Sequence, residues 1–180
     1  MLNTSVTEEL KERARKIKVL LLDVDGVLTD GRIIYDSLGR DSKFFDVHDG
    51  LGVYMLGKAG IKTIIVTAKS SATIKHRAKD MRITEVYADV SPKSTVLSKI
   101  LKKYKVTKEE VCFAVDDLVD LGLIRLVGLP VAVFNACPEI KQAAFYITIR
   151  HGGRGAVREI AELILKAQGK WKDIVKSYEA

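Results

Sequence analysis

The sequence predicts an α/β domain built as a doubly wound, mostly parallel sheet. Three observations predict it. Apolar strand-like runs alternate with helical stretches from residue 19 to residue 149, the pattern of βαβ units joined by right-handed crossovers. The first run, Val19-Leu20-Leu21-Leu22, is apolar throughout, as in a parallel strand covered on both faces. The runs end in polar or acidic residues, which puts a ligand site at the carboxyl ends of the strands. A length of 180 residues fits one domain, 1–180, and is enough to bury a core. Hydrophobic residues at 47% with charged residues at 29% give a globular composition with no linker or repeat.

Residues 8–16 read as a short, exposed, charged helix. The strand at 19–22 stops sharply at Asp23-Val24-Asp25-Gly26. Ile33-Ile34-Tyr35 and Lys43-Phe44-Phe45 flank Asp36-Ser37-Leu38-Gly39-Arg40, which predicts a protruding hairpin over about 31–46. Ile33, Ile34, Phe44 and Phe45 are more apolar surface than a lone protruding hairpin should expose, so they predict a contact between subunits. A helix follows over 51–59, closed by Gly60. Strands are expected at 62–66 and 85–88, with a helix at 71–80 between them. Ser91-Pro92 opens a helix to about Tyr104, with proline in its first turn. Strands at 111–115, 131–134 and 146–149 alternate with short helices at 118–126 and 138–144. A last helix spans 155–168, within a tail region of about 152–180.

Charge and composition narrow the function classes. The net charge of +7 comes from 30 basic and 23 acidic residues. Stretches such as Lys99–Lys108 read as solvated helix faces, with no aromatic platform among them, so a nucleic-acid partner is not expected. The positive balance suits small anionic substrates. Cys112 and Cys137 have no metal-ligand spacing and are expected as reduced thiols rather than a bridge. Met1 to Lys18 lacks an apolar core of signal-peptide type, and no run is long enough to span a bilayer. A cytoplasmic protein without a membrane partner is expected.

The strand ends carry the chemistry. Asp23 and Asp25 follow the first strand and Thr67 the second. Lys93 opens the helix after the third, and Asp116, Asp117 and Asp120 follow the fourth. Singly, each has an ordinary structural reading: a turn for Asp-x-Asp, a helix cap for Thr67 or the Asp116-Asp117 pair, a surface site for Lys93. Gathered at one rim, the carboxylates repel unless a cation offsets them. Oxygen ligands alone suit a hard divalent ion, hence magnesium. Such a rim lets Asp23 attack phosphorus while the cation and Lys93 neutralise the phosphate. Attack gives an aspartyl-phosphate. Asp25 protonates the leaving alcohol and then deprotonates the hydrolytic water. Thr67 holds a phosphoryl oxygen.

Asp23-Val24-Asp25-Gly26-Val27-Leu28-Thr29-Asp30-Gly31 resembles the first motif of the haloacid dehalogenase superfamily of phosphatases. Thr67, Lys93 and Asp116-Asp117-Leu118-Val119-Asp120 match its other three motifs in order. Asp49-Gly50 and Gly152-Gly153-Arg154-Gly155-Ala156-Val157-Arg158-Glu159 are similar to the 3-deoxy-D-manno-octulosonate 8-phosphate phosphatase family. This resemblance implies a capless, Rossmann-like fold and an enzyme of lipopolysaccharide synthesis. It also implies a homotetramer joined through its hairpins, with a tail (Arg154 or Arg158) approaching a neighbour's site. It implies metal ligation by Asp23, the Asp25 backbone carbonyl and Asp116, supported by Asp117 and Asp120. Substrate contacts are implied for Asp25, Asp46, Val47, His48, Asp49, Gly50, Lys69, Arg77 and Lys93.

The sequence departs from the family pattern at four places. Ala68-Lys69 stands where Gly-Arg is usual, His48 and Tyr54 where arginine is common, and Val115 where glycine is usual. Lysine and histidine lack the bidentate fork of arginine toward a carboxylate. A nonulosonate 9-phosphate of sialic-acid type therefore stays open beside the eight-carbon sugar acid. A phosphorelay receiver domain also gathers acids, a hydroxyl and a lysine at strand ends, but it places its phosphoacceptor on a central strand after an acidic pair. A non-catalytic module is disfavoured by the complete set Asp23, Asp25, Thr67, Lys93 and Asp116. Trp171 is expected to pack on a neighbouring surface, and His76 and His151 are given no role.

Overall fold

The computed structural model describes residues 7–179. Six parallel strands form the central sheet. They are β1 (Val19–Leu22), β4 (Lys62–Val66), β5 (Val86–Tyr87), β6 (Val111–Val115), β7 (Leu129–Ala132) and β8 (Tyr146–Ile147), in the order β5-β4-β1-β6-β7-β8. β2 (Ile34–Tyr35) and β3 (Asp41–Ser42) form a separate antiparallel hairpin. β1 pairs in register with both neighbours: Val19 with Lys62 and with Val111, Leu22 with Ile65 and with Ala114. Every residue of β1 and β6 is buried, as continuous apolar runs require. β1 is therefore central in space, so sheet position does not separate this fold from a receiver domain; the Asp-x-Asp does.

Helices cover the sheet. α7 (Ala156–Ala167) packs against both α1 (Glu8–Lys16) and α2 (Val47–Lys58). α1 is charged outside but buries Leu10 and Ala14. α3 (Ala72–Asp80), α4 (Leu97–Tyr104), α5 (Leu121–Ile124) and α6 (Pro138–Ala143) complete the crossovers. None of the described helices is long and apolar enough to cross a membrane. Cys112 is buried, Cys137 half-buried, and both are free.

Several boundaries differ from the sequence expectation, each for a local reason. α2 begins at Val47 rather than 51 because the Asp46 carboxylate accepts the His48 N–H at 2.7 Å and caps it. Gly50 and Gly52 had masked that first turn. β7 runs 129–132 rather than 131–134, with Pro130 inside it. The N–H that proline lacks would face β8, which pairs only with Val131 and Ala132. Pro92 does not open a helix: it is extended (ψ 143°) after a cis Ser91–Pro92 bond, and a 3₁₀ turn, Lys93–Val96, leads into α4. The 118–126 stretch divides into a 3₁₀ turn at Leu118–Asp120 and α5. The hairpin strands have two residues each, and Phe45 turns inward against the core instead of standing exposed. A helix not expected from sequence, α8 (Trp171–Lys176), lays Trp171 within 5.6 Å of the Arg158 guanidinium and 5.1 Å of the Lys166 ammonium. That tryptophan packs on the chain's own α7.

Candidate active site

β1 delivers Asp23 to the carboxyl edge, where its N–H still bonds to the Ala114 carbonyl at 3.2 Å. The chain then turns tightly. The N–H groups of Val27, Leu28 and Thr29 all point at the Val24 carbonyl, and Thr29 Oγ1 accepts from Gly26 and Gly31, each at 3.2 Å. Gly26 has φ +86°, and a Cβ there would lie 1.9 Å from Asp116 Oδ2. Glycine is required both for the conformation and for the approach of the loop to that carboxylate.

The acids converge as the strand-end rule predicted. One oxygen each from Asp23, Asp116 and Asp120 lies within 4.8 Å of the others. Lys93, only 2% exposed, places Nζ 2.6 Å from Asp23 Oδ1 and 2.7 Å from Asp120 Oδ1. The approach to Asp120 is close enough for an ion pair but poorly aligned for a hydrogen bond. Both buried Asp120 oxygens therefore lack a hydrogen-bond partner among the described residues. Burial pushes the Asp116 carboxyl up to about 7, helped by the charges of Asp23, Asp120 and Asp117. Burial likewise raises Asp23 despite Lys93, and raises Asp120 with the help of Asp23. Burial pulls the Lys93 ammonium down, but Asp23 and Asp120 more than reverse it and hold it charged. Three crowded carboxylates against a single ammonium, with Asp120 Oδ2 buried and unpartnered, fit a hard divalent cation. Asp117 is not part of this cluster: it is exposed and accepts the Leu118 N–H at 2.8 Å as a cap.

Thr67 is buried at the end of β4. Its Oγ1 accepts the Lys69 N–H at 3.2 Å, which leaves its own proton free for a phosphoryl oxygen. Asp25 sits beside Asp23, and its Oδ1 lies 2.5 Å from Lys43 Nζ. Lys43 was not singled out from the sequence; a lone lysine between Ser42 and Phe44 carries no motif. It lines a cleft of about 630 Å³ with Lys69, Tyr35, Arg40 and Ser71, a volume suited to a small metabolite.

The remaining expected substrate contacts are not all at this cleft. Asp46, Val47 and His48 line a second cleft of about 510 Å³, with Arg32 and Arg154. His48 Nδ1 lies 2.9 Å from Asp46 Oδ1. Arg77 donates to the Asp46 carbonyl at 2.6 Å, and a Cβ on Gly50 would lie 2.9 Å from its Nη2. Both residues thus shape the start of α2. Asp49 has no exposed surface: its Oδ1 accepts the Arg158 N–H at 2.8 Å, capping α7. Burial raises its carboxyl to about 6. Its place is a helix cap, closed to direct substrate contact.

The glycines of the tail have a definite job. Asn135 donates to the Gly26 carbonyl at 2.9 Å and accepts the Gly152 N–H at 2.6 Å, while the Gly153 N–H reaches the Val27 carbonyl at 2.9 Å. A Cβ on Gly152 would lie 1.8 Å from the Gly26 oxygen. The tail therefore braces the chain's own loop after Asp23. Asn135 sits just beyond the fifth strand end, where the strand-end rule would have found it. Gly152→Ala is expected to displace that loop, costing about 1–3 kcal/mol of stability by overpacking. It should also lower kcat about 10-fold or more, since misplacement of the order of 1 Å at a reacting group is expensive. Urea unfolding and steady-state rates on the same preparation check both; unchanged rates would show that the loop yields.

Three comparisons bear on this rim. Residues 79–160 match the model of the haloacid dehalogenase-like hydrolase family. The 3-deoxy-D-manno-octulosonate 8-phosphate phosphatase KdsC of Escherichia coli (strain K12) is 39% identical over 165 residues, 92% of this chain and 88% of that one. The phosphatase of the same name from Moraxella catarrhalis was solved with magnesium ion, phosphate ion and a KDO molecule. It superposes with a TM-score of 0.93 at 39% identity, over 96% of this chain and 99% of that one. The cobalt-bound form of the deoxy-D-mannose-octulosonate 8-phosphate phosphatase from Haemophilus influenzae superposes with a TM-score of 0.85 at 37% identity, over 88% and 92%.

Proposed function

Because the chain belongs to the haloacid dehalogenase-like hydrolases, in the family of the 3-deoxy-D-manno-octulosonate 8-phosphate phosphatases, we propose this reaction for the Asp23 rim. The enzyme is a magnesium-dependent phosphatase that hydrolyses 3-deoxy-D-manno-octulosonate 8-phosphate to the free sugar acid and inorganic phosphate, a step of lipopolysaccharide biosynthesis. The observation that carries it is the buried Lys93 ammonium, 2.6 Å from Asp23 and 2.7 Å from Asp120, beside the Asp116 carboxylate.

The residue roles proposed here join that geometry to the family resemblance. Bound magnesium, held by Asp23, the Asp25 carbonyl and Asp116, supplies charge neutralisation and orients the phosphate. Asp120 holds Lys93 in place and completes the acidic side of the rim. Lys93 binds phosphoryl oxygens from one side and Thr67 Oγ1 donates to another. Asp23 attacks phosphorus in line and the sugar's bridging oxygen leaves, taking a proton from Asp25. Asp25 then removes a proton from water, whose oxygen displaces Asp23. Lys69 supplies positive charge in the 630 Å³ cleft.

Assembly belongs to the same reading. Leu38 and Phe44 are 75% and 68% exposed on the hairpin, and Ile33, Ile34 and Tyr35 are exposed beside them. An apolar patch of this kind supports a homotetramer formed through hairpins. The Asp46–His48 edge and Arg154 share a cleft separate from the one lined by Lys43 and Lys69, which fits completion of the sugar site by a neighbouring subunit. We read residues 1–180 as one domain acting in the cytoplasm, although residues 1–6 and 180 lie outside the described part.

A phosphate-release assay with and without magnesium tests the function. The eight-carbon sugar acid 8-phosphate is expected to exceed a nonulosonate 9-phosphate in kcat/KM by about 10-fold or more, the discrimination a few lost polar contacts produce. Turnover of both should vanish with a chelator. Poor, equal turnover of the two would refute the sugar-acid assignment, and stoichiometric phosphorylation without turnover would favour a receiver-like domain.

A further inference from the structure

We propose that Lys43 of the hairpin is a positioning residue for Asp25, so that the hairpin supplies part of the proton-transfer geometry as well as an assembly surface. The inference rests on the phosphatase reading above.

The observation is a buried ammonium on an otherwise exposed arm. Residues 32–40 are all exposed, yet the Lys43 side chain is only 4% exposed. Its Nζ lies 2.5 Å from Asp25 Oδ1 and 3.8 Å from Asp41 Oδ2. Withdrawing an ammonium from water costs several kcal/mol unless carboxylates compensate it. Lysine on a hairpin ordinarily keeps its head in solvent by extending its flexible stem. Here the stem is turned inward and the charge is spent on Asp25. Among the described residues, no other cation lies within ion-pair distance of that carboxylate.

The hairpin has little else to fix it. Its strands pair over two residues each, too few to hold an isolated hairpin rigid. The Thr73 hydroxyl donates to the Asp41 carbonyl at 3.3 Å and ties β3 to the start of α3. Lys43, two residues on, makes the matching tie to the nucleophile loop. The two anchors together lay the root of the hairpin along the rim.

The consequence is directional. Asp23 attacks phosphorus from the floor of the rim, so the bridging oxygen must depart on the opposite, outer side. The P–O bond to the sugar breaks as the bond from the Asp23 oxygen forms, and the proton from the Asp25 carboxyl goes to the departing oxygen. Lys43 exchanges no proton. By engaging Oδ1 it fixes the rotation of the Asp25 carboxyl and presents Oδ2 to the departing oxygen. Without it, Asp25, 23% exposed, would rotate into solvent.

Lys43→Met and Lys43→Arg in the full chain test this with magnesium present. First-turnover release of the leaving group is followed under enzyme excess. One substrate is the sugar acid 8-phosphate, whose alkoxide needs a proton; the other is p-nitrophenyl phosphate, whose phenolate does not. Lys43→Met is expected to slow the alkyl ester about 100-fold, within the range for a displaced general acid, and the aryl ester less than about 5-fold. Lys43→Arg should recover most of the alkyl rate. Elution volume and melting temperature report folding and assembly. Equal slowing of both esters, or no slowing of the alkyl ester, overturns the proposal. If Lys43→Met disassembles, the same two-ester ratio measured on Lys43→Ser, which is polar but too short to reach Asp25, decides it: a ratio moved from wild type in the alkyl-slow direction supports positioning, and an unmoved ratio overturns it. Failure of the wild type to turn over the sugar phosphate would instead strike the phosphatase reading itself.

Discussion

Asp23→Asn is expected to abolish phosphate release, a loss on the order of 10⁴-fold or more, without lowering the melting temperature of the metal-free protein. The first half follows from chemistry. An amide oxygen is a poor nucleophile toward phosphorus, and a neutral ligand offsets less of a cation's charge. The second half follows from electrostatics. Asp23, Asp116 and Asp120 bring three carboxylates within 4.8 Å against one ammonium, and burial raises all three carboxyls above their ordinary values. The folded, metal-free protein bears that repulsion at neutral pH. Removing one acid relieves it and leaves Lys93 paired with Asp120 at 2.7 Å, so no buried charge is orphaned. Relief of about 1 kcal/mol would raise the melting temperature by about 2–4 °C in a domain of this size. Thermal unfolding in a chelator and a phosphate-release assay read the two effects independently. Residual turnover within about 100-fold of wild type would remove Asp23 as the nucleophile, given what loss of a nucleophile costs. A lower melting temperature would mean that the Asp23–Lys93 attraction outweighs the crowding.

The part of this rim that was legible in the sequence is the part fixed by topology. A parallel strand must end at the carboxyl edge, so Asp23, Thr67 and Asp116 were placed there as soon as β1, β4 and β6 were recognised. Lys93 was legible only by its order among the motifs, because nothing about a single lysine announces burial. Residues whose roles depend on a neighbour's shape were not legible. Asp49 reads as an active-site acid beside a glycine, but the approach of α7 makes it a cap for Arg158. Asp117 reads as half of an acidic pair, but the turn after Asp116 directs its carboxylate to the Leu118 N–H. Lys43 lies in a segment with two-residue strands, where alternation gives no face to a side chain. Gly152 carries no local signal beyond its place in a glycine-rich run, and only its approach to Gly26 shows that absence of a side chain is the requirement. The roles of Asp49, Lys43 and Gly152 are set by contacts between segments distant in sequence, and that of Asp117 by the backbone course of its own turn; local residue patterns encode neither.

Magnesium should stabilise the protein strongly above neutral pH and weakly in mild acid, because the same carboxylates that hold the ion hold protons in its absence. Asp116 has its carboxyl pushed up to about 7 from an ordinary 3.8, chiefly by burial and then by Asp23, Asp120 and Asp117. Between those values the folded, metal-free protein keeps a proton that the unfolded chain releases. Its stability is therefore greatest below about pH 4 on this account and falls as pH rises through that window. Asp49, raised to about 6, adds a slope of the same sign, but it is remote from the ion as a cap on α7. The difference between melting curves with and without magnesium isolates the rim. At pH 8 and a hundredfold excess over Kd, the ion contributes about 2.7 kcal/mol. In a domain of this size that is about 5–10 °C. At pH 5 a proton on Asp116 competes with the ion, and the shift should shrink to about 1–2 °C at the same magnesium concentration. Asp116→Asn should flatten the pH dependence of the metal-free curve and abolish most of the magnesium shift at pH 8. An equal magnesium shift at pH 5 and pH 8, or none at either, would mean that the cluster of Asp23, Asp116 and Asp120 is not where the ion binds.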